Sequence, residues 1–268
     1  MEPKHTGFLL TSPPNLHYTL LSMDKKYQEI LLEINRQFYD QFAPSFSRTR
    51  HQAQPGVKKI AQRIDKAASV LDIGCGNGTL ACALAARGFT GEYLGLDLSP
   101  GLLSEAVNLL DKPSQGVFNF MAIDLAQPGW EESIPQKPYD WLVSFAVLHH
   151  LPGDALRRQT VKAFSALVAN HGRVAVSVWQ WQNSPRLRQR VLPWSTVGVE
   201  PEDLDPGDVL LDWRAGEEPG LRYVHTFDAA ELTDLAEQGG FKVLETFYSD
   251  GKSGDLALYQ VWMPEMNP

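Results

Sequence analysis

The chain is short of cysteine, lacks any long apolar run and carries no excess of positive charge. Its two cysteines, Cys75 and Cys82, are too few to staple a fold and stand in no metal-ligand spacing, so no metal site is expected. Unpaired thiols suit a cytoplasmic protein. No apolar stretch approaches the roughly 20 residues of a membrane-spanning helix, and no membrane association is expected. The first 24 residues hold only a brief apolar run broken by Pro13 and Pro14; they do not read as a secretory leader and are expected to be mobile. The formal net charge of -8 argues against a generally basic nucleic-acid binder, although a local basic patch is compatible with it. What is present is ordinary globular composition. With 268 residues, 43% of them hydrophobic, the chain can bury a core without disulfides or metals.

The pattern along the chain is a rhythm of strand and helix. Ile30, Leu31, Ile34 and Phe38 recur at helical spacing and predict a helix over about Lys25–Tyr39, and a second is expected over Pro55–Asp65. Strands are expected at Ser69–Gly74, Glu92–Leu98, Val117–Asp124, Tyr139–Leu148 and Arg173–Trp179. Helices fill the gaps at Thr79–Arg87, Pro100–Leu110 and Gly153–Asn170. Such alternation with short links indicates an α/β fold, a parallel sheet with helices on both faces. From Gln180 to about residue 225 the rhythm breaks into a proline-, tryptophan- and charge-rich tract, read as an insertion. It resumes with a helix at Ala229–Gln238 and strands at Phe241–Tyr248 and Asp255–Met263.

The strongest chemical signal is Val70-Leu71-Asp72-Ile73-Gly74-Cys75-Gly76-Asn77-Gly78, which follows a strand and opens a helix. Glycines there let the backbone turn tightly and let a ligand approach the main chain. An acid at Asp72 points to a ligand carrying an ammonium group. Asp97, at the end of the second strand, can bind a ribose hydroxyl pair. Asp124, at the end of the third, can bind an adenine amino group. The plainer alternative is that these aspartates cap helices. The runner-up ligand is a nicotinamide dinucleotide.

The run V-L-D-I-G-C-G-N-G-T, with L-D-L-S and A-I-D, resembles the class I S-adenosylmethionine-dependent methyltransferases over about Val57 to Trp262. That resemblance implies a Rossmann-like, seven-stranded, mostly parallel sheet whose last strand lies antiparallel beside the sixth. Residues 25–66 would form a helical cover within a methyltransferase domain of 25–268, with the insertion, 180–225, near the acceptor. It also implies that Gly74 and Gly76, with Cys75, back the methionine part of S-adenosylmethionine. Asp97 and Leu98 would hold the ribose, Asp124 and Leu125 would meet the adenine, and Ser144 to Ala146 would line the pocket.

A narrower resemblance lies outside that core. Ile34 to Arg50, Ser144 to Leu151, Val176 to Trp179 and Arg222 to Phe227 occur in order and together are similar to the eukaryotic-type tRNA wobble-uridine methyltransferases. The chain departs from their pattern at Leu151, where a bulkier residue is usual. The resemblance implies methyl esterification of a carboxymethyl group on a uridine of the tRNA anticodon loop, and a small zinc-binding activating partner. An ionised carboxylate needs no general base, only a cation to orient it and a dry in-line approach. Arg50 and Arg222 are the candidate cations, Arg50 serving equally well for the cofactor carboxylate, and Tyr39 is expected to cover the cofactor. A nitrogen or phenol acceptor would call for a base, for which His149, His150 and His225 are candidates; a purely structural role is the alternative for the paired histidines. Arg48, Arg50, Lys58, Lys59 and Arg63, then Arg157 and Arg158, then Arg186, Arg188 and Arg190 are candidate RNA contacts, the last beside Trp179, Trp181 and Trp194. Solvated faces for the charges and core for the tryptophans are the alternative reading. Two other functions fit the same residues: a methyltransferase for a small molecule, with the insertion as its lid, and a catalytically silent cofactor-binding subunit that regulates a partner.

Overall fold

Four of the five residues of Ser69–Ile73 are fully or nearly fully buried, and a strand of that kind has to be covered on both faces. The computed structural model, which describes residues 23–49, 52–110, 115–214 and 220–265, places it inside a seven-stranded sheet. In chain order the elements are α1 (Lys25–Thr49), α2 (Pro55–Ala61), β1 (Ser69–Ile73), α3 (Thr79–Ala86), β2 (Glu92–Asp97), α4 (Pro100–Leu109), β3 (Val117–Ala122), β4 (Tyr139–Phe145), α5 (Asp154–Leu167) and β5 (Val168–Trp179). There follow α6 (Pro185–Arg188), β6 (Val191–Leu192), β7 (Asp208–Trp213), β8 (Gly220–His225), α7 (Ala229–Gln238), β9 (Phe241–Ser249) and β10 (Ala257–Pro264). The strand order is β3-β2-β1-β4-β5-β10-β9. β10 runs antiparallel between β5 and β9, and the neighbouring pairs from β3 to β5 are parallel. The parallel part is what the strand–helix rhythm predicts, and the whole is the Rossmann-like, seven-stranded sheet that the family resemblance implies.

Side chains alternate across each strand, and the core divides accordingly. Val70, Val143 and Ala175 pack with Ile60 of α2 and Leu80 and Leu84 of α3. Their neighbours Leu71, Leu142 and Val174 pack on the other side with Phe164 of α5 and Leu232 of α7. Each such side chain contributes about 1.5–3 kcal/mol when fully buried.

Several boundaries differ from expectation, among them α2, which ends at Ala61 and not Asp65. α1 passes Tyr39 and Pro44 and continues to Thr49, because Leu31, Asn35, Phe38 and Phe42 form one buried stripe whose last two rings seat against Trp213. β4 stops at Phe145, not Leu148, since Ala146 turns into the left-handed region at φ 59°. β5 starts directly after α5, at Val168, with an irregular register before Arg173. The insertion folds into an antiparallel sheet, β6-β7-β8, with a small core of Trp181, Leu187, Leu211 and Val224. Residues 1–22 of the segment expected to be mobile lie outside the described residues, as do Arg50 and part of the acidic tract after Glu200.

Buried charge fastens the inserted sheet to the main one. Arg157 is 2% exposed and lies 2.7 Å from Asp205, so it is an internal ion pair and not the RNA contact expected of it. His225 is 1% exposed, with Nδ1 2.7 Å from Asp208 Oδ1 and Nε2 2.7 Å from Glu231 Oε1. A carboxylate can only accept, so both bonds form together only with the doubly protonated ring. Burial lowers the pKa of His225, and the bonds to Asp208 and Glu231 outweigh that to raise it; the nearby Arg157 opposes them. A raised folded-state value means stability that is complete below the unfolded value and is lost as pH rises through the folded one. The destabilisation caused by His225→Gln, measured as a shift in urea midpoint, is therefore expected to be largest near about pH 6 and to shrink at alkaline pH. A shift that grows with pH would contradict the doubly bonded imidazolium.

Candidate active site

The carboxyl ends of β1, β2, β3 and β4 open into one cavity of about 410 Å³, the edge at which open α/β sheets bind ligands. After β1 the chain must reverse within a few residues. The amides of Gly74 and Cys75 both donate to the carbonyl of Leu96, at 2.7 and 2.8 Å, which pins the turn to β2. Gly74 has φ 73°, and a Cβ there would meet Val147 at 2.2 Å. Gly76 has φ 55° and open space where a Cβ would stand, so the main chain itself is the cavity floor.

The three acids line that cavity. Asp97 Oδ2 accepts the Gly76 amide at 2.8 Å and Oδ1 the Ser99 amide at 2.9 Å; burial raises its pKa and these bonds oppose the rise. Asp72 is 3% exposed and accepts the Tyr93 hydroxyl at 2.5 Å. Burial pushes its carboxyl up to about 7, the Tyr93 bond opposes, and the charge of Asp97 adds. Asp124 accepts the Ala126 amide at 2.9 Å and faces Arg36 of α1 across the cavity at 3.5 Å. None of the three caps an α-helix: Gly78 and Ser99 stand at the caps of α3 and α4, and the residues after Asp124 form no α-helix. Leu98 and Leu125 flank the acids. Burial raises the Cys75 thiol well above its ordinary value, so it is a wall and not a nucleophile.

The opposite wall comes from α1, from the turn after β4 and from β8. Ala146 is held in its left-handed turn by the carbonyl and hydroxyl of Ser177, at 2.9 and 3.1 Å. That turn presents His149 and His150, whose rings lie 4.2 Å apart. His149 Nδ1 accepts the Trp179 amide at 3.2 Å. His150 Nδ1 meets the Tyr223 carbonyl at 3.0 Å and must donate to it, so Nε2 accepts the Tyr39 hydroxyl at 2.8 Å. Tyr39 in turn accepts from Arg222.

Arg222 is 4% exposed and lines the cavity. Its guanidinium lies over Trp179, Phe38 and Trp213, with centroids at 4.4, 4.9 and 5.5 Å. Among the described residues no carboxylate forms a salt bridge with it, and its Nε has no hydrogen-bond partner. Burial lowers its pKa, Tyr39 opposes that and the charge of Arg190 adds to it, yet a guanidinium stays charged.

Two expected site residues lie elsewhere. Ser144 points into the core, fully buried, and leaves the wall to Phe145, Ala146 and Val147. His225 belongs to the ion-pair cluster behind β8. Of the expected RNA contacts, Lys59 and Arg63 both hold Glu245, at 2.9 and 2.5 Å, Arg158 holds Asp154, and Trp181 is buried with its indole N–H on Thr226. Arg186 and Arg188 are exposed. Sequence reasoning missed Asn35 and Arg36 of α1, and Asp250, which accepts the Gly56 amide and the Tyr259 hydroxyl at 2.8 and 2.6 Å. The buried i, i+3, i+4 stripe of α1 could have pointed to Asn35, a polar residue on its apolar face.

The proton on Asp72 makes a prediction. Its folded-state pKa of about 7 lies above the ordinary aspartate value, so its contribution to stability is complete below about pH 4 and is lost as pH rises through about 7. Urea midpoints of the native chain are expected to fall relative to those of Asp72→Asn across that window. Parallel curves for the two would mean that the carboxyl ionises as easily in the folded chain as in the unfolded one.

Known proteins are similar to this chain. The profile of a family described as methyltransferase domain matches residues 46–246. A tRNA (carboxymethyluridine(34)-5-O)-methyltransferase of Schizosaccharomyces pombe is 28% identical over 81% of this chain and 92% of its own length. One of the same name from Arabidopsis thaliana is 30% identical over 74% of this chain, which spans only 46% of that protein. Among solved structures, a SAM-dependent methyltransferase from Methanosarcina mazei superposes with a TM-score of 0.61 at 18% identity, over 81% of this chain and all of that one. With the profile matched over most of its length, on a sheet of this strand order, the chain belongs to the methyltransferase domain family.

Proposed function

We propose that the chain transfers a methyl group from S-adenosylmethionine to a carboxylate, and that this carboxylate is a carboxymethyl group on a tRNA wobble uridine. The observation that carries the first part is Arg222, a buried cation facing the cavity, held by aromatic faces and a hydroxyl and, among the described residues, by no carboxylate. The names of the fission-yeast and Arabidopsis relatives support the second part.

The residues present fit the methyl donor. The glycine floor leaves room for its methionine part, Asp72 suits the ammonium, Asp97 the ribose hydroxyls, and Asp124 with Leu125 the adenine. Bound there, S-adenosylmethionine supplies a methyl carbon on a cationic sulfur. That methyl would pass to an acceptor carboxylate oxygen held by Arg222, with the bonding pair left on sulfur. No proton moves, so no base is required. This agrees with His149 and His150 each having Nδ1 committed to the backbone. The task left to the chain is orientation, which can contribute roughly 7–11 kcal/mol. Arg222 presents a planar fork to the carboxylate, and Trp179 and Phe145 keep the approach apolar. One observation favours a small carboxylic acid instead: Lys59, Arg63, Arg157 and Arg158 are consumed by ion pairs, which leaves less basic surface for RNA.

Labelled methyl donor and total tRNA test the reading, with and without a small activating subunit. The label is expected in a uridine derivative and is expected to leave in mild alkali, as an ester does. Alkali-stable label would overturn the carboxylate acceptor. Unlabelled tRNA under both conditions, with the donor still bound, would overturn the tRNA and favour the small acid. Arg222→Met is expected to lower transfer by about 100-fold or more while S-adenosylhomocysteine affinity changes by less than about threefold.

A further inference from the structure

Three segments far apart in the chain meet behind Arg222, and one side chain joins them. Asn35 of α1 is 6% exposed. Its Oδ1 accepts the Tyr223 amide at 2.9 Å, and its Nδ2 donates to the His150 carbonyl at 3.2 Å. His150 Nδ1 donates to the Tyr223 carbonyl at 3.0 Å, which closes a ring through α1, the histidine turn and β8. One helical turn further along α1, Tyr39 holds the other end of His150 at Nε2, at 2.8 Å. Residues four apart share a helix face. So one face of α1 grips His150 by its main chain and by its ring, and grips β8 at the residue next to Arg222.

We infer that Asn35 is a positioning residue that sets the register of α1 against β8 and thereby the place of Arg222 and Tyr39 at the acceptor end of the cavity. The inference rests on the proposed carboxylate reading for its effect on rate, but not for the coupling itself. An amide is the side chain suited to the role, because one end must accept from a peptide N–H and the other must donate to a peptide C=O within a few ångströms. Aspartate has nearly the same shape and lacks the donor. Its two oxygens would keep the bond from Tyr223 and lose the bond to His150. An apolar residue such as leucine would lose both and strand two backbone groups away from water. A helix that merely covered the cavity would need neither bond, since Leu31, Phe38 and Phe42 already bury its face.

Asn35→Asp and Asn35→Leu decide the matter by two readouts. The first is steady-state methyl transfer to tRNA. A shift of about 1 Å at the reacting groups costs on the order of 100-fold. In Asn35→Asp, kcat is expected to fall by about 10- to 100-fold, while the KM for the methyl donor stays within about threefold. A substitution that only loosened the fold would instead weaken donor binding and lower activity together. Unchanged kcat in both variants, or a rise in donor KM as large as the loss of kcat, would overturn the positioning role. The second readout is amide hydrogen exchange. Segment 220–225 and the turn 148–151 are expected to exchange faster together in the leucine variant, with β1 and β4 unchanged. Unchanged exchange in both segments would overturn the coupling. If the native chain transfers no methyl group to tRNA, the proposed substrate fails, and the exchange result still decides the clasp.

Discussion

A guanidinium without a carboxylate partner among the described residues, buried between three aromatic rings, is the constraint around which the cavity is organised. Taking a cation out of water costs several kcal/mol unless something replaces its hydration. Phe38, Trp179, Trp213 and the Tyr39 hydroxyl do so in part, by π faces and one hydrogen bond. Because none of these groups is negative, the charge is held in place without being neutralised. Each ring comes from a different element, α1, β5 and β7, and Arg222 itself from β8. The inserted sheet and the long first helix are therefore parts of one device, and the ion pairs of Arg157 and His225 secure that device to α5 and α7.

The main sheet solves a separate problem. Its parallel strands bring Asp72, Asp97 and Asp124 to one edge, and the pinned turn at Gly74 and Gly76 keeps side chains off the floor between them. Asp72, Asp97, Asp124 and the glycine turn thus face one part of the cavity and Arg222, His149, His150 and Trp179 another, while Asp40 and Asp250 complete the lining. A ligand with a cationic end and a ligand with an anionic end would be drawn to opposite sides. That division suits a sulfonium donor and a carboxylate acceptor, and it needs no proton transfer between them.

The half built from local pattern was legible in the sequence. Strands with apolar runs, a glycine turn after the first, and acids at three successive ends each follow from short-range chemistry. The other half depends on contacts between distant segments. The loss of periodicity after Tyr39 suggests a helix end, but packing of Phe42 on Trp213 carries α1 onward. Asp208–Trp213 and Gly220–His225 are short strands that have no use until they pair with one another, so the tract reads as irregular. Arg157 and His225 look like a surface cation and a base in isolation. Only the fold shows that Asp205, Asp208 and Glu231 have claimed them. Ser144 illustrates the reverse case, in which a strand-end residue expected at the cavity turns inward by one position of the pleat.

The claim that Arg222 selects a negative acceptor is tested most directly by two substrates of the same shape. One anticodon stem-loop carries a carboxymethyl group on its wobble uridine, and the other carries the uncharged carboxamide. The native chain is expected to methylate the acid faster than the amide by at least about 100-fold, because the uncharged amide supplies the buried guanidinium with no counter-charge. Comparable rates on the two, or methylation of the amide alone, would contradict it.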